Sequence, residues 1–301
     1  MIPPLPASPL ERLHHPAAEA AGVQLFVKRD DHYSWEPLDP LQGNKVRKLA
    51  PLLARDDLRG RMVVSFGGAY SNHVAALSSA GRRFGFRTRF YIRGEAVRNP
   101  TLDLVTRNGS TLHFLDRTAY RRKHDPDFQR VIGLRTEEIV VPEGGSQRES
   151  LPYAGAVYAE TVDQLGTAPD YFCLSAGTGG TAAGVLLAAY GSPTRVEVFP
   201  ALRGDWMAKE IRNWLTAPEA LTGLDLITDF SFGGYARFPA AWRLYTPAGS
   251  VATRAEIKEP LLPPLEPVYT AKLFAGVLHR ISAGYYPRGG TVVILHSGGI
   301  Y

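Results

Sequence analysis

The chain has 301 residues, of which 45% are hydrophobic, and a formal net charge of +5. This is enough apolar material for a large buried core and two domains. No apolar run approaches the roughly 18 residues that a membrane span needs, and the start lacks the order of a secretory signal. The arginine clusters are scattered, without the interleaved aromatic residues of a nucleic-acid surface. We therefore expect a cytoplasmic protein that has neither a membrane nor a nucleic-acid partner.

The order of the predicted elements indicates an α/β fold. Short β-branched and aromatic runs predict strands at 23–28, 62–66, 88–92, 111–115, 138–141, 171–174, 195–199 and 291–296. Apolar residues at helical spacing predict helices at 72–84, 153–165, 182–190 and 271–283. Strands that alternate with helices in this way are typical of parallel sheets with crossover helices, and about eight strands favour two sheets over one. The only cysteine, Cys173, is interpreted as a small buried hydrophobic residue that forms no disulfide within the chain.

The first candidate site segment is Q-G-N-K-V-R-K-L at 42–49, where Lys45 follows a Gly-Asn pair at a predicted strand-to-helix switch. A lysine in that place can point inward and lose its hydration. Its pKa then falls, and it can act as a nucleophile or a base. The alternative is a solvated lysine at an ordinary helix start.

The second segment is V-S-F-G-G-A-Y-S-N-H at 64–73, where a strand ends in two glycines before a helix. Ser71 and Asn72 have the side chains that cap helices, and a helix start attracts a carboxylate or phosphate. Simple capping is the alternative, and the two interpretations are compatible.

The third segment is S-A-G-T-G-G-T-A at 175–182, again a strand that runs into a helix. Its glycines let the backbone wrap an anion closely, and the hydroxyls of Thr178 and Thr181 add donors, which favours a phosphate cradle over a tight structural turn. The segment also satisfies the relaxed dinucleotide pattern G-x-G-x-x-A, with Glu197 about 20 residues further on. However, Glu197 lies in the middle of a predicted strand, whereas a ribose-binding acid belongs at a strand end. A dinucleotide site would also give Lys45 no function. A cradle for a single phosphate together with one special lysine predicts pyridoxal 5'-phosphate as the cofactor, and no metal.

The chain resembles the 1-aminocyclopropane-1-carboxylate deaminase / D-cysteine desulfhydrase family of fold-type II pyridoxal-phosphate enzymes. The resemblance is carried, in the family's order, by V-K-R-D-D at 27–31, G-N-K-V-R-K-L at 43–49, S-N-H at 71–73, S-A-G-T-G-G-T at 175–181, P-V-Y-T at 267–270 and L-H-S-G-G at 295–299. It implies two open parallel-sheet domains of the tryptophan synthase β-like architecture, and a homodimer. We predict a large cofactor-binding domain formed by 1–48 and 149–301, a small inserted α/β domain at 49–148, and a cofactor in the cleft between them.

The resemblance also implies how the cofactor is held. Lys45 would bind its aldehyde covalently and carry the α-proton of the substrate. Lys48 would contact the phosphate, and Asn72 would hydrogen-bond the ring oxygen. The remaining phosphate contacts would come from Ala176, Gly177, Thr178, Gly179, Gly180 and Thr181.

For the substrate, the resemblance implies that Ser71, Asn72 and His73 receive its carboxylate. Tyr269 matches the active-site tyrosine that follows Pro-Val in the family, and Tyr235 matches a second one. Each tyrosine also has a purely structural interpretation, since aromatic residues beside glycine-rich turns often belong to the core.

The sequence departs from the family's ring-opening deaminases at Thr270, where those enzymes carry an acid near the pyridine nitrogen. A hydroxyl from Thr270 or Ser297 would leave that nitrogen largely neutral and make the ring a weaker electron sink. A weak sink suits the elimination of a good leaving group better than the opening of a carbon ring. The segment between Tyr235 and Tyr269 also departs from the family pattern, so the sequence leaves the substrate open.

Together these observations predict a pyridoxal-phosphate-dependent lyase or deaminase that acts on a small amino acid. The predicted reaction is a D-cysteine desulfhydrase-like β-elimination that yields a 2-keto acid and ammonia. Ring-opening deamination of 1-aminocyclopropane-1-carboxylate is the alternative within this class, with Ser71 and Tyr269 assisting as catalytic residues. A catalytically silent pyridoxal-phosphate-binding protein and, more distantly, a nicotinamide-dependent oxidoreductase are alternatives from other classes.

Overall fold

The computed structural model describes residues 4–215, 217–234, 237–239 and 262–301. The chain divides into two compact units. The small unit comprises Met1–Pro4, Ser34–Ser150 and Tyr301, and the large unit comprises Leu5–Tyr33 and Leu151–Ile300. The sequence prediction assigned residues 34–48 to the larger domain, whereas here they belong to the small unit, which also extends to Ser150.

The elements are numbered along the chain. The strands are β1 (Leu10–Arg12), β2 (Gln24–Lys28), β3 (Met62–Gly68), β4 (Arg87–Arg93), β5 (Thr111–Leu115), β6 (Ile139–Val141), β7 (Tyr171–Ala176), β8 (Arg195–Pro200), β9 (Leu224–Leu226) and β10 (Thr291–Leu295). The helices are α1 (Pro16–Ala21), α2 (Asn44–Leu53), α3 (Asn72–Phe84), α4 (Pro100–Arg107), α5 (Arg117–Arg121), α6 (Pro126–Val131), α7 (Leu151–Leu165), α8 (Gly180–Ala189), α9 (Met207–Trp214) and α10 (Thr270–Ser282). Within the part of the chain that the structure describes, no helix is long and apolar enough to cross a membrane.

The large unit is built on a six-stranded sheet in the order β1-β2-β10-β7-β8-β9. Its pairs are parallel except for β1 with β2. The central strands are almost wholly buried, as expected of parallel strands covered on both faces. Helices α7 and α8 cross closely because both contribute glycines: a Cβ on Gly155 would lie 2.4 Å from the carbonyl oxygen of Gly184. This crossing fixes α8, the helix that follows the third candidate segment.

The small unit is built on a four-stranded parallel sheet in the order β5-β4-β3-β6. Its central strand, β3, has five consecutive buried residues and leads through a short turn into α3. That turn is the second candidate segment. The predicted fold class, an α/β protein with two open parallel sheets, is therefore confirmed.

All eight predicted strands and all four predicted helices are present, with ends shifted by at most a few residues. The prediction missed β1 and β9, which have three residues each and lie at the two edges of the large sheet. It was wrong to place a strand directly before Lys45. The segment between Ser34 and Gln42 is irregular and is closed only by an isolated bridge between those two residues.

Candidate active site

Lys45 is the second residue of α2, and its place depends on the glycine before the helix. The N-cap residue Gly43 has φ 58° and ψ −138°, a conformation that side chains disfavour. Lys45 is half-buried, and its amine donates a hydrogen bond to Oδ1 of Asn44 at 3.1 Å. The Gly-Asn-Lys order therefore sets both the turn into α2 and the orientation of the amine.

Lys48 lies one helical turn further along α2 and is buried, with only 2% of its surface exposed. Burial lowers the pKa of Lys48 well below its usual range, and the nearby charge of Lys45 lowers it further. Both effects disfavour the ammonium form in the absence of an anion. A phosphate nearby would favour the ammonium form, so this pair of lysines fits the cofactor that the sequence predicts.

Ser71 is the N-cap of α3, and its hydroxyl accepts a hydrogen bond from the backbone N–H of Val74 at 3.3 Å. The turn needs the glycine before it, because a Cβ on Gly67 would lie 2.5 Å from Cγ2 of Val74. Asn72 starts the helix, and its Oδ1 accepts a hydrogen bond from the Tyr301 hydroxyl at 3.3 Å. The structure thus shows the capping interpretation of Ser71, which leaves the anion-binding interpretation of the helix start open.

His73 differs from the prediction, which gave it a substrate-binding role. Its ring is 1% exposed, and Nε2 lies 2.8 Å from the hydroxyl of Ser65. That hydroxyl donates its hydrogen to the carbonyl of Val141, so it accepts from His73, whose ring is neutral with the proton on Nε2. Burial and the charges of Lys45 and Lys48 lower its pKa well below the ordinary value. The side chain is therefore part of the interior, and only the backbone N–H of His73 lies at the helix start, where N–H groups lack helical partners.

The third candidate segment, at 175–182, lies in the large unit and leads from the buried Ala176 at the end of β7 into α8. Its N-cap, Gly179, has φ 76° and therefore favours glycine, and it carries no side chain to cap the first turn. The indole N–H of Trp214 donates to the carbonyl of Thr178 at 3.0 Å and holds the loop. A Cβ on Gly177 would lie 3.0 Å from the hydroxyl oxygen of Tyr269, so the tyrosine ring lies directly over the loop.

The start of α10 contains a residue that sequence reasoning missed. The Glu266 side chain accepts hydrogen bonds from the backbone N–H groups of Val268 (2.8 Å), Tyr269 (2.6 Å) and Thr270 (2.7 Å). An acid just ahead of a helix start is a recognisable capping signal. Glu266 thus holds the segment that presents Tyr269.

The same contacts correct the prediction that Thr270 binds the cofactor ring. Its side chain has no exposed surface, and its hydroxyl accepts from the Glu266 N–H at 2.9 Å and donates to the Glu266 carbonyl at 3.2 Å. A hydroxyl has one hydrogen, so in this arrangement Thr270 has none to offer to a cofactor ring. Ser297 is half-buried and follows β10, next to the strand that leads into the glycine-rich loop. The Thr270 hydroxyl is thus engaged by Glu266, and the role of the Ser297 hydroxyl stays a prediction.

For two further residues of the sequence analysis, the prediction for Tyr235 stays untested, whereas Glu197 has a clear outcome. Tyr235 lies outside the described residues. Glu197, the acid of the dinucleotide interpretation, is fully buried in β8, where it accepts from Tyr286 at 2.6 Å and from Arg280 at 2.9 Å. An acid engaged in this way is not placed to bind a ribose, which weakens the dinucleotide interpretation.

Comparison with known proteins agrees with the chemistry of these residues. Residues 3–225 match the model of the family described as pyridoxal-phosphate dependent enzyme. The chain belongs to this family of pyridoxal-phosphate-dependent enzymes, and pyridoxal phosphate is its cofactor. The resemblance to 1-aminocyclopropane-1-carboxylate deaminases and D-cysteine desulfhydrases is confirmed by individual relatives.

One relative, from Pyrococcus abyssi, is provisionally named a 1-aminocyclopropane-1-carboxylate deaminase. It is 29% identical over 93% of this chain and 85% of its own length. The bifunctional D-cysteine desulfhydrase/1-aminocyclopropane-1-carboxylate deaminase of Arabidopsis thaliana mitochondria is 31% identical over 56% of this chain and 46% of its own length. A crystal structure described as an ACC deaminase homologue has a TM-score of 0.75 at 24% identity and covers 97% of this chain and 89% of that one. At that identity the structural likeness establishes the fold.

Proposed function

We propose that the protein catalyses pyridoxal-phosphate-dependent β-elimination and deamination of a small amino acid with a good leaving group, such as D-cysteine, giving a 2-keto acid and ammonia. When bound, the cofactor supplies an aldehyde for the substrate amine and a ring that withdraws electrons from the α-carbon. The observation that carries the proposal is the start of α10. There Thr270 stands where the resemblance places an acid in ring-opening deaminases, and the nearby Glu266 is directed at three backbone N–H groups.

We assign Lys45 to covalent attachment of the cofactor and to proton transfer at the α-carbon. The assignment is supported by its place in the first turn of α2 and by the Asn44 side chain that orients its amine. Positioned proton transfer contributes about 10²–10⁴-fold to a rate. Lys48 is assigned to the phosphate because it is buried one helical turn beyond Lys45, where its amine would meet the anionic end of the cofactor.

We assign the phosphate also to the loop that leads into α8. Its backbone follows a parallel strand and opens a helix, the arrangement in which N–H groups face an anion. The contacting residues would be Ala176, Gly177, Thr178, Gly179, Gly180 and Thr181. Tyr269 lies over Gly177 in this loop, so its hydroxyl would stand beside the bound cofactor and is proposed as catalytic.

The substrate carboxylate is assigned to the start of α3. The groups available there are the backbone N–H groups of Asn72 and His73, with Ser71 as the cap. The Asn72 amide would also reach the ring oxygen of the cofactor, and the Ser297 hydroxyl its pyridine nitrogen. A hydroxyl leaves that nitrogen largely neutral, and the weaker electron sink suits release of a thiolate.

Spectroscopy and labelling test the cofactor assignments. Protein loaded with pyridoxal phosphate should absorb at roughly 410–430 nm. Borohydride reduction followed by peptide mass spectrometry should locate the added mass on Lys45. A colourless protein after loading, or a label on another lysine, would overturn the assignment.

Product analysis tests the reaction. Sulfide and pyruvate released from D-cysteine would support β-elimination, and L-cysteine under the same conditions reports the stereochemistry. Ring opening of 1-aminocyclopropane-1-carboxylate is the second candidate, because the relatives from Pyrococcus and Arabidopsis carry that activity in their names. Release of 2-oxobutanoate alone would establish ring opening and show that the argument from Thr270 is wrong.

Two outcomes would remove the protein from this class of reaction. If the loaded protein turns over none of these substrates nor a panel of D- and L-amino acids with β-leaving groups, a silent pyridoxal-phosphate-binding protein is the better description. A spectral titration with NADH that shows saturable binding would instead support the dinucleotide interpretation.

A further inference from the structure

Lys272, in the first turn of α10, is a buried cation that the proposed reaction does not use. It is 2% exposed, and its ammonium donates three hydrogen bonds, all of them to backbone carbonyls. The acceptors are the carbonyl oxygens of Ala201 at 2.9 Å, Ser231 at 2.9 Å and Gly234 at 2.7 Å. An ammonium has three donors, so its capacity is used completely.

The acceptors belong to two segments that also meet through the rings of Phe199 and Phe230, and Lys272 links the backbone of both. Ala201 follows β8, and its N–H is bonded to the carbonyl of Ala176, where the glycine-rich loop begins. Ser231 and Gly234 bound a tight turn in which Phe232, Gly233 and Gly234 all have positive φ angles, 48°, 83° and 131°. A left-handed conformation at a phenylalanine is costly, and the surrounding contacts must maintain it.

A shell of main-chain carbonyls around one positive charge is also how proteins bind K⁺. Among the described residues, no carboxylate lies within ion-pair distance of the Lys272 amine. Burial lowers the pKa of Lys272 to about 8, against the opposing influence of Glu266, so the side chain is cationic at neutral pH.

Lys28, another buried lysine among the described residues of the large unit, provides a contrast. Lys28 forms an ion pair with Glu160 at 3.1 Å and donates to the Gln164 side chain and to one carbonyl, that of Ser8. Its environment is therefore that of an ordinary buried ion pair. The carbonyl shell distinguishes Lys272.

We propose that the Lys272 ammonium takes the place of a bound monovalent cation, and that shortening this side chain opens a site for K⁺ or NH₄⁺ at the three carbonyls. In this role Lys272 is a positioning residue. It joins the end of β8, the start of α10 behind Tyr269, and the turn that directly precedes Tyr235. The effect of Lys272 on catalysis rests on the proposed function. The cation site at the three carbonyls is independent of that function.

The test uses the cofactor-loaded Lys272→Ala variant in choline buffer, with an excess of KCl, NH₄Cl or LiCl added. We expect Tm to rise by several degrees with K⁺ or NH₄⁺ and to change little with Li⁺, which is too small for the shell. Any lyase activity should recover in parallel. Lys272→Ser, whose hydroxyl can serve as a further ligand, is the second variant if Lys272→Ala fails to fold. Crystals of either variant soaked in Rb⁺ should show an anomalous peak at the three carbonyls.

Three controls make the outcome specific. Lys272→Met fills the space with an apolar chain and should be destabilised without recovery by any cation. Lys28→Ala should not discriminate K⁺ from Li⁺, and the wild type should respond to neither. Equal responses of Lys272→Ala to all salts, absence of the Rb⁺ peak, or a wild type that itself requires K⁺ would each overturn the proposal. If the cation response appears but no lyase activity is found in any form, the cation site stands and the proposed function fails.

Discussion

The two units differ in the surroundings of the buried charged groups near their candidate segments. In the small unit, Lys48 is buried beside another lysine, and Nδ1 of His73 is buried without a partner among the described residues. In the large unit, the Glu266 carboxylate and the Lys272 ammonium each satisfy three backbone groups. These two charges of the large unit are engaged by backbone groups, whereas in the small unit the charge of Lys45 lowers the pKa of the buried Lys48, an effect that a bound anion would oppose. Cofactor binding should consequently stabilise the small unit more, and the substitutions below test that difference.

Replacement of Lys45 should have the largest effect. We expect Lys45→Ala to lower turnover by about 10²–10⁴-fold or more, because both covalent attachment and positioned proton transfer are lost. The absorbance above 400 nm should disappear, while Tm of the apoprotein changes little. Lys209→Ala, an exposed lysine on α9, is the matched control and should retain full activity. Normal turnover in Lys45→Ala would refute the assignment.

Lys48→Met should move cofactor affinity and apoprotein stability in opposite directions. Loss of a charge-assisted contact of about 1.5–3 kcal/mol weakens pyridoxal phosphate binding by roughly 10–100-fold. The apoprotein should be as stable as the wild type or more so, because burial and the charge of Lys45 disfavour the ammonium form of Lys48 and an apolar side chain carries no such cost. Cofactor titration and urea unfolding measure the two quantities.

Lys28→Met in the large unit is the control for Lys48→Met. Here the substitution removes the lysine from the ion pair with Glu160. The free energy of unfolding should therefore fall by about 3–5 kcal/mol, as for other buried pairs that lose one partner. If the two variants changed the stability of the apoprotein equally, the contrast between the units would be wrong.

Glu266→Gln tests how much the three hydrogen bonds of the Glu266 carboxylate stabilise the start of α10 in the large unit. The amide retains one acceptor oxygen for three N–H groups, so we expect a loss of about 1–3 kcal/mol in the free energy of unfolding. Since Tyr269 loses a backbone contact, kcat should fall more than the affinity for the cofactor. Glu266→Asp, which keeps the charge but shortens the reach, should lie between the wild type and Glu266→Gln. Unchanged kcat in Glu266→Gln would mean that the cap does not position Tyr269.

The strands and the glycine-rich turns could be predicted from the sequence because they depend on local properties. The run at β3 is apolar enough to be buried whatever its neighbours are, and Gly179 and Gly43 occupy backbone conformations that favour glycine. The edge strands β1 and β9 could not be found in this way. They are three residues long, and they exist because a neighbouring strand offers hydrogen bonds.

Side-chain direction was harder to predict than backbone conformation. His73 and Thr270 both lie in the first turn of a helix beside a candidate segment, where a polar residue suggests a ligand contact. Their actual partners are Ser65 on the preceding strand and Glu266 ahead of the helix. No local pattern distinguishes a hydroxyl or imidazole that faces a ligand from one that faces such a partner. Glu266 itself could have been recognised as a cap, but Lys272 could not, because its acceptors lie in two parts of the sequence that are both far from it, at Ala201 and in the turn from Ser231 to Gly234.

The smallest predicted effect concerns the pH dependence of stability through His73. Its pKa is well below the ordinary 6.5 in the folded protein, so below that pH the unfolded chain binds a proton that the folded chain does not. The stability that the neutral ring contributes is complete above pH 6.5 and is lost as the pH falls below it. His73→Gln cannot be protonated and can still donate to Ser65. Between pH 7.5 and 5.5 the apoprotein of this variant should therefore lose roughly 1 kcal/mol less than the wild type.

Urea unfolding of both apoproteins at the two pH values measures this difference. The other histidines with lowered pKa values, His15, His124 and His296, are common to both proteins and cancel in the comparison. An equal loss in both proteins would mean that His73 is protonated in the folded state. Its Nδ1–H would then need an acceptor within the small unit, and the charges of Lys45 and Lys48 would not keep the ring neutral.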